Sequence, residues 1–190
     1  MDLQITTLQP AVFTPVLGTW NTITADARGL TSYYDFGNAD VGISTRVPNA
    51  GRFSYLGGSN TRDYLSGQEG SWILGRDGDD VLTTYSAPDD SPIRSALYGG
   101  DGTDQLTTLF TDAVFTGGTG QDQFRVFNAD VVITDFTDNE DSLWVLGSNQ
   151  VSQIQTDFGL ILDNGASQIQ LLGVTNYLNQ VQSGGTSVFV

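Results

Sequence analysis

Aspartate recurs with glycine at a regular spacing in the middle of the chain. The clearest copies read Gly75-Arg76-Asp77-Gly78-Asp79-Asp80, Gly99-Gly100-Asp101-Gly102-Thr103-Asp104 and Gly117-Gly118-Thr119-Gly120-Gln121-Asp122. The last two fit the pattern Gly-Gly-x-Gly-x-Asp, and an apolar residue follows two positions later. Carboxylate and main-chain carbonyl oxygens are the ligands that Ca²⁺ prefers. The repeated motif therefore predicts metal sites built from loops.

The spacing of the motifs indicates the elements that position these loops. Counted from Gly57, Gly75, Gly99 and Gly117, the spacings are 18, 24 and 18 residues. Each motif ends in an apolar residue typical of a short strand, and its glycines permit the positive φ angles of a tight turn. Residues 86–92 contain two prolines and are expected to loop out, which accounts for the longer interval.

Segments between the motifs, such as residues 108–116, keep the apolar pairs but lose the glycines. Eighteen residues therefore predict one coil with a motif on one side only. One coil cannot bury its own apolar side, so coils are expected to stack and bring their aspartates to one edge. Counting on from Gly117 reaches an acidic segment at residues 135–143, which predicts five loops. In the first copy, Asn60 replaces a glycine and Asp63 comes one residue late.

Composition excludes several functions. The chain of 190 residues has 22 acidic residues, seven arginines and no lysine, so its formal charge is −15. Nucleic acid and anionic lipid are poor partners for such a chain. There is no cysteine or histidine, which excludes disulfides, Ser-His-Asp triads and ordinary zinc sites. The start lacks the features of a signal peptide, and no apolar run is long enough to span a membrane.

The periodic motif resembles the calcium-binding repeats of repeats-in-toxin proteins over roughly residues 55–145. The resemblance implies an all-β fold containing a parallel β-roll, with a β-rich N-terminal cap and a C-terminal β-hairpin. The implied divisions are a cap at 1–52, a calcium-binding roll at 53–145, and a C-terminal cap with a type I secretion region at 146–190.

The resemblance also implies a set of metal ligands. The sixth motif position supplies carboxylates, the glycines supply carbonyl oxygens, and residues of the less regular end loops complete the set. The implied calcium ligands are Asp63, Gly75, Asp77, Gly78, Asp80, Gly99, Gly100, Asp101, Gly102, Asp104, Gly117, Gly118, Gly120, Asp122, Asp135 and Asp141.

The C-terminal part contains further family-like features. Residues 131–136 resemble the I-x-D-F element that closes such rolls. Residues 158–163 and 167–172 flank Asn164-Gly165, which favours a β-hairpin with a type I′ turn. This hairpin and the apolar ending are similar to export regions of type I secretion. A protein exported in this way is expected to fold outside the cell, where calcium is abundant.

Two classes of function stay open. The first is a non-enzymatic extracellular component of a matrix, surface layer, filament or adhesion, with possible assembly through exposed coil ends. The second is a carbohydrate-binding or polysaccharide-modifying module, for which Trp20, Tyr33, Tyr34 and Phe36 are the only support. Threonine pairs at 83–84 and 107–108 also suggest a flat array for surface binding.

Overall fold

A computed structural model describes residues 21–24, 33–35, 43–46, 55–86, 94–148 and 150–190. These residues contain eighteen strands and no helix, which confirms the all-β prediction. The strands are β1 (Asn21–Thr24), β2 (Tyr33–Asp35), β3 (Ile43–Arg46), β4 (Tyr55–Gly57), β5 (Tyr64–Gln68), β6 (Trp72–Asp77), β7 (Val81–Tyr85), β8 (Ser95–Asp101), β9 (Gln105–Leu109), β10 (Ala113–Thr119), β11 (Gln123–Phe127), β12 (Val131–Ile133), β13 (Ser142–Leu146), β14 (Ser152–Thr156), β15 (Gly159–Asp163), β16 (Gln168–Leu172), β17 (Gln180–Ser183) and β18 (Thr186–Phe189).

The strands form two mixed sheets of nine strands each. One has the order β1-β3-β5-β7-β9-β11-β13-β18-β17, and the other has the order β14-β15-β16-β12-β10-β8-β6-β4-β2. From β1 to β13, the chain alternates between the sheets and every neighbouring pair is parallel. Thr83 pairs with Thr107, which places the longer repeat between β7 and β9. The expected loop itself falls mostly on residues 87–93, outside the described residues.

The C-terminal strands are antiparallel. β14, β15 and β16 form a meander, and β17 and β18 form a hairpin whose second strand pairs with β13. The predicted hairpin of β15 and β16 is present, but the prediction of a type I′ turn was wrong. Asp163 pairs with Gln168, which leaves a four-residue loop in which the Asn164 side chain accepts the N–H groups of Ala166 and Ser167.

Apolar side chains from both sheets form one core. Strands such as β7 alternate buried and half-buried residues, because successive side chains of a strand point to opposite faces. Phe115 of β10 stacks on Phe124 of β11 with ring centroids 6.1 Å apart, so the two sheets touch through these rings. Phe189 of the last strand is fully buried and belongs to the same core.

The threonine array suggested by the sequence does not form. Thr83 pairs with Thr107 and Thr84 with Thr108, as the array requires. However, Thr84 and Thr108 are fully buried, because they occupy the inward positions of their strands. The Thr84 hydroxyl lies 2.8 Å from that of Ser95. Only Thr83 and Thr107 occupy outward positions of these strands. The residue that pairs with Thr107 in the next strand is Arg125, so the threonines do not continue.

Within the predicted N-terminal cap at 1–52, strands β1 and β3 extend one sheet in parallel register. Much of that cap lies outside the described residues. Trp20 and Phe36 also lie outside them, as do the side chains of Tyr33 and Tyr34. Within the described part of the chain, no helix is long and apolar enough to cross a membrane.

Candidate functional site

The motif loops connect each strand of one sheet to the next strand of the other. Gly100 and Gly118, at the second motif position, have φ angles of 123° and 109°. A methyl group on Gly118 would lie 2.0 Å from the carbonyl oxygen of Gly100 in the preceding loop. Glycine is thus required here both by backbone conformation and by the close stacking of loops. Arg76 occupies the same position in an earlier loop and takes a φ of 91°, which is rare for a side-chain-bearing residue.

The register of the first loop differs from the sequence reading. Gly57 pairs with Leu74, so the motif of this loop begins at Gly58, opposite Gly75. The repeat is consequently 17 residues long at this point. Asp63 then occupies the sixth motif position and does not arrive late. Its N–H donates to the Asp80 carboxylate at 2.7 Å, as the equivalent groups do in later loops.

Four aspartates at the sixth motif position and Asp141, which comes one residue later in the last loop, form a buried row, which we call the aspartate row. Each is at most 5% exposed. One carboxylate oxygen of each later member accepts the backbone N–H of the preceding member, at distances of 2.7 to 2.9 Å. The members are Asp63, Asp80, Asp104, Asp122 and Asp141. These hydrogen bonds link successive loops across the stack.

The second carboxylate oxygen of the middle members has a different environment. The Oδ2 atoms of Asp80 and Asp104 are buried and have no hydrogen-bond partner. A methyl group placed on Gly75 would lie 2.1 Å from Asp80 Oδ2 and 2.6 Å from the carbonyl oxygen of Gly99. The same construction on Gly99 meets Asp104 Oδ2 at 2.2 Å and the Gly117 carbonyl oxygen at 2.4 Å. Beside each of these glycines, the carboxylate of its own loop and a main-chain carbonyl of the next loop therefore converge.

Burial makes the row costly to ionise. Desolvation raises the pKa of Asp80 to about 8, that of Asp104 to about 7 and that of Asp122 to about 6. The pKa of Asp141 is also raised, again mainly by burial. Backbone hydrogen bonds lower these values, and neighbouring carboxylates raise them further. A cation beside the row would remove this penalty on the charged form.

The end members of the row are already hydrogen-bonded. Asp63 Oδ2 accepts the backbone N–H of Ser59 at 2.5 Å, and its Oδ1 lies 2.9 Å from the Ser59 hydroxyl. Asp141 Oδ2 accepts the N–H of Thr137 at 2.8 Å. These contacts leave the two end carboxylates with less capacity to bind a further group than Asp80 and Asp104 have.

Three predicted ligands lie away from the row. Asp77 and Asp101 pair across β6 and β8 and are exposed, and Asp101 accepts the hydroxyl of Thr119 at 2.8 Å. Asp135 uses both oxygens on the N–H groups of Gly117 and Gly118, at 3.0 and 2.8 Å. It therefore closes the last regular loop by hydrogen bonding. The remaining predicted glycines, Gly78, Gly102 and Gly120, have positive φ and stack close to neighbouring loops.

Sequence reasoning missed two carboxylates next to the row. Asp79 and Glu140 line a cavity of about 360 Å³ together with Asp80, Asp104 and Asp122. Asp79 also accepts the N–H of Thr103 in the next loop at 2.9 Å. Its position directly before Asp80 was a possible signal, since both residues line the same cavity.

The donor set suits a hard cation. The row offers only oxygen ligands, two of which are buried carboxylate oxygens without partners, and calcium takes six to eight oxygens. Among the described residues, no three acidic side chains converge in the way that a side-chain metal cage requires. The stacking of loops explains why no such cage forms among these residues. Each loop contributes one aspartate to the row, and neighbouring strands are about 4.8 Å apart, so the aspartates lie in a line and not around one point. Main-chain carbonyls would have to complete the coordination. The residues present thus fit calcium.

Comparisons with protein-family models, curated proteins and solved structures found no match to this chain.

Proposed function

We propose that the chain binds calcium along the aspartate row and that its alternating strands form a parallel β-roll of the repeats-in-toxin type. The observation that most supports this is the pair of unpartnered, buried Oδ2 atoms of Asp80 and Asp104. Each has a glycine carbonyl of the next loop close beside it. Buried carboxylates without partners are expensive unless a cation neutralises them.

Asp80 would hold an ion with the carbonyl group of Gly99, and Asp104 would hold one with the carbonyl group of Gly117. Asp122 would supply a further carboxylate. Bound calcium would supply the positive charge that the row lacks. The protein's own contribution is to hold one oxygen of each aspartate on the backbone N–H of the preceding member of the row, which orients the other oxygen toward the glycine of its own loop. Because the row is built from adjacent repeats, calcium binding would contribute directly to folding.

We further propose that the protein is a non-enzymatic extracellular component exported by a type I route. The extracellular location is supported by the proposed calcium sites, because calcium is present at millimolar levels outside cells. The non-enzymatic role is supported by composition, because the chain lacks the histidine and cysteine of common catalytic sites. A role in a matrix, surface layer or adhesion follows from the use of calcium to stabilise a stack of strands.

Gly99→Ala tests the proposed metal site. Its methyl group would occupy the space between Asp104 Oδ2 and the Gly117 carbonyl. We expect fewer calcium ions bound per chain, measured by equilibrium dialysis, and a loss of about 2 kcal/mol or more in stability with calcium present.

Gly165→Ala is the matched control. Unlike Gly99, Gly165 has positive φ, at 82°, and no atom lies within 4 Å of the added methyl group. It should cost about 1 kcal/mol through backbone strain and leave calcium stoichiometry unchanged. Full calcium stoichiometry in Gly99→Ala would exclude the proposed site.

A further inference from the structure

The C-terminal end of the molecule is almost free of charge. Of the 22 acidic residues, only Asp157 and Asp163 lie in residues 142–190, and none of the seven arginines does. The charge that keeps copies of a −15 chain apart is therefore concentrated elsewhere. Two copies would repel each other least if they met at this end.

Strand β14 lies at the edge of its sheet at this end. Among the described strands, it pairs with β15 on one side and has no neighbour on the other. Its residues, Ser152-Gln153-Ile154-Gln155-Thr156, include no charge and no proline, and Ile154 is 48% exposed. Natural edge strands are usually protected by charged residues, prolines or bulges. β14 has no charged residue and no proline, so it can accept another strand.

Two glutamines hold β14 in position. The Gln153 side chain exchanges two hydrogen bonds with the backbone of Leu178, at 3.0 and 2.8 Å. Gln155 Nε2 donates to the carbonyl oxygen of Val174 at 3.0 Å. These contacts fix one face of the strand, and Ile154 projects from the other. An edge already ordered in this way loses less entropy when a partner strand docks.

The sequence of β14 is complementary to itself. In antiparallel pairing about Ile154, Ser152 lies opposite Thr156, Gln153 lies opposite Gln155, and Ile154 lies opposite its own copy. Hydroxyl meets hydroxyl, amide meets amide and isoleucine meets isoleucine, which are favourable cross-strand pairs. We propose that β14 is a dimerisation edge that pairs with β14 of a second copy about a twofold axis at Ile154. Such isologous contacts are the commonest in oligomers.

The other exposed edge at this end is less suited to the same pairing. β17 has four residues, Gln180-Val181-Gln182-Ser183, all exposed. Full antiparallel self-pairing of this strand would place Val181 opposite Gln182 and leave each apolar side chain against an amide. β17 therefore provides the matched control.

The proposal concerns the C-terminal strands and does not depend on where calcium binds. The chain has no cysteine, so Ile154→Cys introduces a single thiol. Directly opposite residues of antiparallel strands have Cα atoms about 4.5–5.5 Å apart, within the range of about 4.4–6.8 Å that a disulfide requires. With mild oxidant in millimolar calcium, we expect Ile154→Cys to form covalent dimers about tenfold faster than Val181→Cys, whose thiol is similarly exposed.

Sedimentation velocity on the wild-type chain gives the second readout. We expect a weight-average sedimentation coefficient that rises with concentration toward that of a dimer, and loss of this rise in Ile154→Lys but not in Val181→Lys. Far-UV circular dichroism checks that the variants are folded and, repeated in chelator, tests the calcium proposal separately. A wild-type chain that stays monomeric, or equal cross-linking at the two positions, would overturn the β14 dimer.

Discussion

Asp104 shows how a buried carboxylate can oppose folding in one condition and support it in another. Its pKa of about 7 lies above the ordinary aspartate value of 3.8 because burial disfavours the charged form. Between about pH 4 and pH 7, Asp104 therefore keeps its proton in the folded chain, whereas the same group has lost its proton in the unfolded chain. Without metal, the contribution of Asp104 to stability is present in acid and is lost as the pH rises through 7.

Asp104→Asn removes this loss, because asparagine is neutral and retains an oxygen for the Asp80 N–H. In chelator, we expect the variant to keep its far-UV β signal to a higher pH than the wild type, by about one pH unit, and to match it near pH 5. In calcium, we expect the order to reverse, because the variant lacks a carboxylate that we propose as a calcium ligand.

Asp112→Asn is the control for this pH effect. Asp112 also accepts a backbone N–H from a neighbouring coil, that of Asp130 at 2.9 Å, but it lies at another turn outside the row. It should alter neither the pH midpoint nor the calcium response. Identical behaviour of the Asp104 and Asp112 variants would contradict the assignment of the row as the metal site.

The sequence predicted the five aspartates of the row but also Asp77, Asp101 and Asp135, which lie elsewhere. The motif spacing identifies the sixth position well, since Gly-x-Asp is repeated with little change. It does not say where an aspartate at the third position points. Asp77 and Asp101 end long strands and project outward, and the carboxylate of Asp135 is taken by two backbone N–H groups.

At the scale of the elements, β18 makes the C-terminal segment part of the folded core. The sequence reading treated residues 146–190 as a cap and an export region. Phe189 is fully buried, and its strand pairs with β13. This long-range antiparallel contact had no signal in the sequence beyond an apolar ending, because it joins segments about 45 residues apart.

Phe189→Ala should therefore destabilise the whole protein. We expect a loss of about 3 kcal/mol in urea unfolding with calcium present, which is typical of a large cavity in a core. Phe158→Ala is the comparison, since Phe158 is 75% exposed and its loss should cost less than about 0.5 kcal/mol. Equal effects would show that β18 does not contribute to the stable core.

Register also depended on packing that the motif does not encode. Gly57 and Gly58 both offer a start for the first copy, and an even 18-residue spacing selects Gly57. The structure selects Gly58, because Leu56 pairs with Ile73 and both are fully buried. A shift by one residue would turn every side chain of the strand to the opposite face.

At the scale of the whole molecule, the 18-residue spacing predicted coils that stack, and the structure has strands that alternate between two sheets from β4 to β13. We further propose that the −15 chain needs calcium to hold this stack together. Without a counter-ion, the row brings five carboxylates into one buried line. Folding then requires that they be protonated or that a cation neutralise them.

Far-UV circular dichroism on the whole chain at pH 7.5 tests this claim most directly, in millimolar calcium, in the same concentration of magnesium, and in chelator at matched ionic strength. We predict a β-sheet spectrum with calcium and a largely unfolded spectrum in chelator. Magnesium should have little effect, because it demands a smaller and more rigid set of ligands. The same β-sheet spectrum in all three conditions would contradict the account.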